Sequence, residues 1–167
     1  MSTAEILRRR IRFLTWIVIA GLIFGGATAI PLQVELNWFA QLIGAEKGDA
    51  LGFSAWILKV RDALNETYAR YPFIAYGTDW LAFGHFVIAL AFVWALKDPV
   101  RYSGLFIFGM IACLAIVPFA LVVGQVRQIP FGWRLIDCCF GIFGLVPLWL
   151  CHRYARRLEG LREAQPA

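Results

Sequence analysis

The stretch that decides the fold is LIDCCFGIFGLVPLWLC, residues 135–151, an apolar run of 17 residues with one carboxylate, Asp137, near its start. As an α-helix rising about 1.5 Å per residue, such a run lies at the short end of what crosses a hydrocarbon core of about 30 Å. A bare carboxylate in hydrocarbon costs about 2.5 kcal/mol or more, so Asp137 must be paired, protonated or turned to a wet cavity. The run therefore predicts a membrane-spanning helix with a polar site near one end.

Three further apolar runs extend this prediction to the whole chain. They predict spanning helices over about 13–30, 78–96 and 102–123, joined by an outer loop over 31–77. Only 16% of the residues are charged and 60% are hydrophobic, whereas a soluble domain has roughly 25% charged residues. We therefore expect an all-α, polytopic membrane protein, a four-transmembrane-helix bundle that forms a single domain over residues 1–167.

The basic residues predict how the bundle is oriented. Short cytoplasmic loops carry an excess of Lys and Arg, and three basic clusters flank the spans here. They are Arg8, Arg9, Arg10 and Arg12 before the first span, Lys97 and Arg101 between the second and third, and Arg153, Arg156, Arg157 and Arg162 after the fourth. Both termini are expected in the cytoplasm. The net charge of +5 then reports topology, and no nucleic-acid partner is expected.

The outer loop contains an amphipathic pattern. Over residues 54–70, four apolar side chains recur at helical spacing: Trp56, Val60, Leu64 and Tyr68. We predict a helix here that lies along the membrane surface or covers the bundle. Glu66 and Arg70, at i and i+4, are expected to form a favourable ion pair. The helix either stabilises the bundle by packing or acts as a lid over a site.

Small residues predict where the helices approach one another closely. Gly21, Gly25 and Ala29 repeat every four residues in the first span, a spacing that favours helix contact within membranes. Gly141 and Gly144 lie on roughly the same face of the fourth span as Asp137. This coincidence predicts that Asp137 faces the interior of the bundle.

Several kinds of chemistry find no support in the sequence. All four cysteines lie in or at the end of the last two spans without a C-x-x-C motif, so a thiol oxidoreductase is not expected. We read them as small buried apolar residues. No spacing of metal ligands occurs. A haem is not expected because its two candidate ligands, His85 and His152, lie at different depths.

Four polar residues form the candidate site in the outer half of the helices: Asp79, His85, Arg134 and Asp137. In a structural reading, Arg134 pairs directly with Asp137 at i, i+3, Asp79 caps the second span and His85 bonds a neighbouring hydroxyl. In a functional reading, the four line a pocket between the second and fourth spans. Both readings stay open at the level of sequence.

Five short segments carry a resemblance to known proteins. They are YGTDW at 76–80, GH at 84–85, KDPVR at 97–101, IPF at 129–131 and WRLIDC at 133–138. Together they resemble segments of small, uncharacterised four-span bacterial inner-membrane proteins, over roughly residues 71–152. The resemblance implies a four-span fold in the bacterial inner (plasma) membrane, and it implies no particular chemistry.

The sequence therefore favours an integral membrane protein with an outer-leaflet polar pocket, acting as a non-enzymatic ligand-binding, lipid-binding or accessory assembly subunit. The alternative is an intramembrane enzyme acting on a lipid or another small hydrophobic substrate, using His85 with Asp79 or Asp137 as acid and base. The expected partners are the lipid bilayer and either another membrane protein or a second copy of the chain. No cofactor is indicated.

Overall fold

A computed structural model describes residues 2–44 and 52–164 and shows that they are all-α, as predicted. The helices are α1 (Thr3–Ala29), α2 (Leu32–Leu42), α3 (Phe53–Arg70), α4 (Tyr76–Lys97), α5 (Ser103–Val126) and α6 (Phe131–Glu163), and a 3₁₀ turn (Pro72–Ala75) precedes α4. The stretch 45–51, part of the predicted outer loop, lies outside the described residues. Four helices are long and apolar enough to cross a membrane, namely α1, α4 with its 3₁₀ turn, α5 and α6.

The outer faces of these four helices confirm that lipid is their solvent. Each helix exposes large apolar side chains, for example Phe13 (66% exposed), Leu90 (65%), Ile111 (62%) and Phe143 (75%). Contiguous apolar surface of this extent is not stable in water. A soluble bundle is therefore excluded, and the chain is an integral membrane protein.

Two of the spanning helices are longer than their apolar runs. Helix α1 begins at Thr3 rather than at residue 13, and α6 continues to Glu163 rather than ending at residue 151. With 27 and 33 residues, they extend about 40 and 50 Å, more than the hydrocarbon core. The extra turns are amphipathic, since arginines alternate there with a buried stripe. That stripe consists of Leu7 and Ile11 in α1 and Ala155 and Leu158 in α6.

The chain divides into two compact units, Met1–Gly21 with Ile88–Ala167, and Leu22–Val87. We call them the first and second units and describe each by itself. A single domain over the whole chain stays a prediction. The first unit contains segments of all four long helices, and the second contains the end of α1, the helices α2 and α3, and most of α4.

Glycines determine how closely α5 and α6 approach in the first unit. A Cβ atom added at Gly141 would lie 2.5 Å from the backbone oxygen of Cys113, and one at Gly144 would lie 2.8 Å from the Cys113 Sγ. On the α5 side, a Cβ at Gly109 would lie 2.9 Å from Leu148. The predicted close approach at Gly141 and Gly144 is confirmed, and the contact partner is Cys113 of α5, through its backbone oxygen at Gly141 and its Sγ at Gly144.

Helices α1 and α6 meet along a second contact in the first unit. Thr15 is fully buried, and its hydroxyl donates to the Ile11 carbonyl at 2.8 Å. The Cys151 Sγ lies 3.7 Å from both the Thr15 Oγ1 and the Ile11 oxygen. Cys138 and Cys151 are buried as predicted, whereas Cys113 is half-buried and Cys139 is exposed. Adjacent helical residues point about 100° apart, so only one of the pair Cys138 and Cys139 can face α5.

In the second unit, three carboxamides join α2 to α3. Asn65 accepts hydrogen bonds from Gln33 (2.8 Å) and Asn37 (3.3 Å), and its own amide donates to Asn37 at 2.9 Å. This network satisfies polar groups that the apolar neighbours cannot. It also holds the two short helices of the predicted outer loop against each other.

Helix α3 is amphipathic as predicted. Trp56, Val60, Leu64 and Tyr68 are half-buried, whereas Asp62 and Glu66 are exposed. The expected pair between Glu66 and Arg70 is wrong, because no ion pair joins them within the described part of the chain. The guanidinium of Arg70 lies instead over the Tyr71 ring, 5.3 Å from its centroid. An exposed i, i+4 ion pair contributes only about 0.3–0.5 kcal/mol, so a ring face competes with it readily.

The glycine contact between α5 and α6 predicts a stability effect. Gly141→Ala places a methyl group against the Cys113 carbonyl, and we expect a loss of about 1–3 kcal/mol in unfolding free energy, as for other overpacked sites. Gly160→Ala is the matched control on the same helix, since an added Cβ there meets no atom within 4 Å. It should be neutral or slightly stabilising. Denaturant titration of both variants in mild detergent measures the difference, and equal stabilities would contradict the close approach.

Candidate functional site

The four predicted site residues lie in different units. Asp79 and His85 belong to α4 within the second unit, and Arg134 and Asp137 belong to α6 within the first. A shared pocket of all four stays a prediction. The geometry of each pair is described below on its own.

His85 is half-buried on α4 and is oriented by the backbone of its own helix. Its Nδ1 lies 2.8 Å from the Leu81 carbonyl oxygen, which can only accept, so Nδ1 carries the proton. In the neutral ring, the lone pair then lies on Nε2. This corrects the expectation that His85 bonds a neighbouring hydroxyl. A histidine fixed in this way is a hydrogen-bond acceptor or a base on its Nε2 side.

The His85 ring packs on glycine in α1. A Cβ added at Gly25 would lie 3.7 Å from the His85 Nε2, and one at Gly26 would lie 3.0 Å from the His85 Cβ and the Ala82 oxygen. Gly26 is therefore the tightest point of this contact, whereas a Cβ at Gly21 meets nothing within 4 Å. The predicted series of small residues is thus used only in part. Gly26, outside that series, is the residue that permits the approach.

Asp79 lies inside the first turn of α4, since the helix begins at Tyr76. The prediction that it caps the helix is wrong, because a cap residue precedes the first turn. Its carboxylate is exposed and makes no hydrogen bond within the described residues. The positive end of the helix dipole still favours a negative charge at this position, by about 0.3–1 kcal/mol.

Arg134 lies across the last turns of α5. Its Nη1 donates to the Leu121 carbonyl at 3.2 Å, and its guanidinium carbon lies 5.3 Å from the centroid of the Phe131 ring. The alkyl part of the side chain covers Gly124, where an added Cβ would lie 2.6 Å from the Arg134 Cδ. Its Nε is buried and has no acceptor among the residues that the structure describes. The guanidinium of Arg134 thus contacts a carbonyl oxygen and a ring face, both of which are uncharged.

Asp137 is half-buried one turn further along α6. Within residues 2–44 and 52–164, the Asp137 carboxylate forms neither an ion pair with Arg134 nor a hydrogen bond. The pairing predicted from the i, i+3 spacing is therefore not formed. The reason is geometric, because Arg134 reaches across Gly124 to the Leu121 carbonyl on α5.

A polar cluster that the sequence reasoning missed lies at the other end of the first unit. Arg162, near the end of α6, contacts Asp98 in the α4–α5 loop at 3.1 Å. The backbone N–H groups of Val100 and Arg101 also donate to Asp98. Burial alone would raise the pKa of Asp98. The hydrogen bond and positive charge of Arg162, together with the hydrogen bonds from the two N–H groups, outweigh burial and lower this pKa. The signal was present in the sequence as an Asx turn, D-P-V-R, opposite a basic helix end.

Metal chemistry has no counterpart in the described ranges. No group of three or more His, Cys, Asp or Glu side chains there is arranged to hold a metal ion. His85 is the only histidine of the predicted site, and its Nδ1 is already bonded to Leu81. In the second unit, the Nε2 atom of His85 can act as a polar contact for a ligand. In the first unit, Arg134 and Asp137 can bind groups of opposite charge.

No family model, no curated protein and no solved structure matches the chain. The resemblance of residues 71–152 to small bacterial membrane proteins therefore identifies no family. What the fold defines is a class, an integral membrane protein with four candidate spans.

A double-mutant cycle measures whether Arg134 and Asp137 interact. Arg134→Gln should change stability by about 1 kcal/mol or less, because it removes a bond to the Leu121 carbonyl and also removes a buried N–H that has no acceptor among the described residues. Asp137→Asn should cost little, and the double variant should show a coupling energy below about 0.5 kcal/mol. Denaturant unfolding in mild detergent provides the four free energies. A coupling energy of several kcal/mol would show that the two charges pair.

Proposed function

We propose that this protein is a non-enzymatic lipid-binding or accessory subunit that holds a lipid headgroup at the start of α6. The proposal includes the bacterial inner membrane as its location, with both termini in the cytoplasm. The residues assigned to this headgroup site are Arg134 and Asp137, and Asp79 and His85 of α4, in the other unit, are separate candidate polar groups.

The single observation that carries the proposal is the buried Nε of Arg134, which has no acceptor among the described residues. A buried N–H without a partner costs about 1–3 kcal/mol. A phosphate oxygen in the headgroup region would reach this N–H once the guanidinium turns outward, and it would then form a charge-assisted bond, which is roughly twice as strong as a neutral one. The existing contacts of Arg134, a carbonyl and a ring face, hold the guanidinium in place but leave its charge uncompensated.

Asp137 extends the argument from phosphate to a class of headgroup. Its half-buried carboxylate has no cationic partner among the described residues and lies about 60° from Arg134 around the helix. A headgroup with a phosphate and an ammonium group carries both complementary charges. A zwitterionic lipid of the phosphoethanolamine type therefore matches the Arg134 and Asp137 pair better than an anionic lipid does.

The opposite end of the first unit supports the proposed orientation. Arg12 of α1 donates to the Leu96 carbonyl of α4 at 3.4 Å, and Arg162 of α6 binds Asp98 at 3.1 Å. The three basic clusters thus belong to one end of the unit. Such an end is expected on the cytoplasmic side, which would place Arg134 and Asp137 in the outer leaflet.

One observation favours the second candidate function, an intramembrane enzyme. The Nδ1 bond to Leu81 assigns the lone pair of the neutral His85 ring to Nε2, the atom that a general base would use. Asp79 or Asp137 would be the second titratable group. Conversion of a lipid by the purified protein, abolished by His85→Ala in a protein that still folds, would favour this function over simple binding.

Lipid retention tests the proposal. The protein, purified in mild detergent, is expected to retain phosphatidylethanolamine at near-stoichiometric amounts, as measured by native mass spectrometry. Arg134→Gln should reduce this retention about tenfold or more, because a charge-assisted bond is lost. Asp137→Asn should shift the preference from phosphatidylethanolamine toward phosphatidylglycerol, since the partner of the ammonium group is removed.

Arg127→Gln is the matched control, because Arg127 is an exposed arginine in the α5–α6 loop and should leave retention unchanged. Equal retention by Arg134→Gln and Arg127→Gln would contradict a headgroup site at Arg134. Co-purification of a stoichiometric protein without lipid would instead show an assembly subunit.

A further inference from the structure

An apolar groove runs along the outer face of α5 and α6 in the half of the first unit that faces the basic end. Its volume is about 500 Å³. The α5 wall consists of Ile107, Ile111 and Leu114, and the α6 wall of Leu145, Val146 and Trp149. Ile111 and Leu114 are 62% and 58% exposed, so the groove opens outward to the membrane. Its width between two helices suits an extended hydrocarbon chain.

The walls of the groove are unlike a helix-docking surface. Helices associate in membranes through small residues that allow backbones to approach. Three small residues of these two helices, Gly109, Gly141 and Gly144, are already used in the contact between α5 and α6. Long, branched side chains line the groove instead. A flexible acyl chain fills such a surface better than a second helix does.

The basic end of the groove is marked by a tryptophan and an arginine. The Arg153 guanidinium lies over the Trp149 ring, 5.4 Å from its centroid. Arg153 and Trp149 are four residues apart and share a helix face. Stacking on the ring holds the guanidinium at the level where the groove ends, which is the headgroup level for a tryptophan at a membrane interface.

Arg153, unlike Arg156 and Arg162, has no acidic partner among the described residues. Arg156 pairs with Glu159 at 2.7 Å, and Arg162 pairs with Asp98 at 3.1 Å. Within the described part of the chain, no carboxylate lies within ion-pair distance of Arg153. Its charge is therefore available to a ligand, whereas the charges of Arg156 and Arg162 are neutralised within the protein.

We propose that this groove, with Arg153 at its end, is a binding site for an anionic glycerophospholipid, whose acyl chain lies between α5 and α6 and whose phosphate binds Arg153. The site is separate from the headgroup site at Arg134 and does not depend on it. Zwitterionic lipids fit the apolar groove equally well. They lose the net attraction, because their own ammonium group competes for the phosphate.

Native mass spectrometry of the full chain in mild detergent, titrated with phosphatidylglycerol or phosphatidylcholine of the same chain length, tests the proposal. The protein should bind phosphatidylglycerol more tightly, and Arg153→Gln should reduce that preference about fivefold, the contribution expected of one basic residue near a membrane surface. Arg156→Gln is the matched control, because Arg156 already pairs with Glu159, and it should retain the preference.

A second variant tests the groove itself. Ile111→Trp fills the groove and should reduce binding of both lipids, whereas Phe143→Trp, on another lipid-facing position of α6 that is 75% exposed, should not. Equal preference in Arg153→Gln and Arg156→Gln would overturn the headgroup assignment. A dimer that Ile111→Trp dissociates would overturn the lipid assignment and show that a second copy of the chain covers the groove.

Discussion

The constraint on which the structure depends is that hydrocarbon solvates neither charges nor free backbone groups. Four helices satisfy their own backbones through the membrane, and the charged residues lie at their ends. The same constraint places the arginines of α1 and α6 beyond the apolar runs of these helices. There, Arg12 binds the Leu96 carbonyl and Arg162 binds Asp98. Within the hydrocarbon, where burial gives helices no reason to associate, contacts depend on Gly141 against Cys113 and on Thr15 with Cys151.

Against this background, the two polar residues at the start of α6 are the exception that indicates function. At the basic end, Asp98 and Arg162 neutralise each other. Arg134 and Asp137 do not, although their spacing would allow it. Leaving one cation and one carboxylate half-buried without mutual pairing lowers stability, and the zwitterionic headgroup that we propose would offset that loss. Among the features of the site, the buried Nε of Arg134, which lacks an acceptor in the described part of the chain, most directly indicates a missing partner.

The four candidate spans were predictable because their apolar runs can be read directly from the order of residues. The ends of α1 and α6 were not, since the buried stripe that includes Leu7, Ile11 and Leu158 is interrupted by arginines. Spacing alone predicted an ion pair of Arg134 with Asp137, but it could not show that Gly124 opens a path to the Leu121 carbonyl. The partner of His85 was equally hidden, because a backbone carbonyl leaves no mark in the sequence.

The most direct test is to determine on which side of the membrane each loop lies, because this decides in which leaflet the proposed headgroup site and groove would lie. In a background without the four native cysteines, Gly160→Cys in the α6 extension and Ala63→Cys on the exposed face of α3 are treated with a membrane-impermeant maleimide. Residue 63 should react only in intact spheroplasts, and residue 160 only in inverted vesicles. Reaction of both residues from the same side of the membrane would contradict four spans with a cytoplasmic basic end.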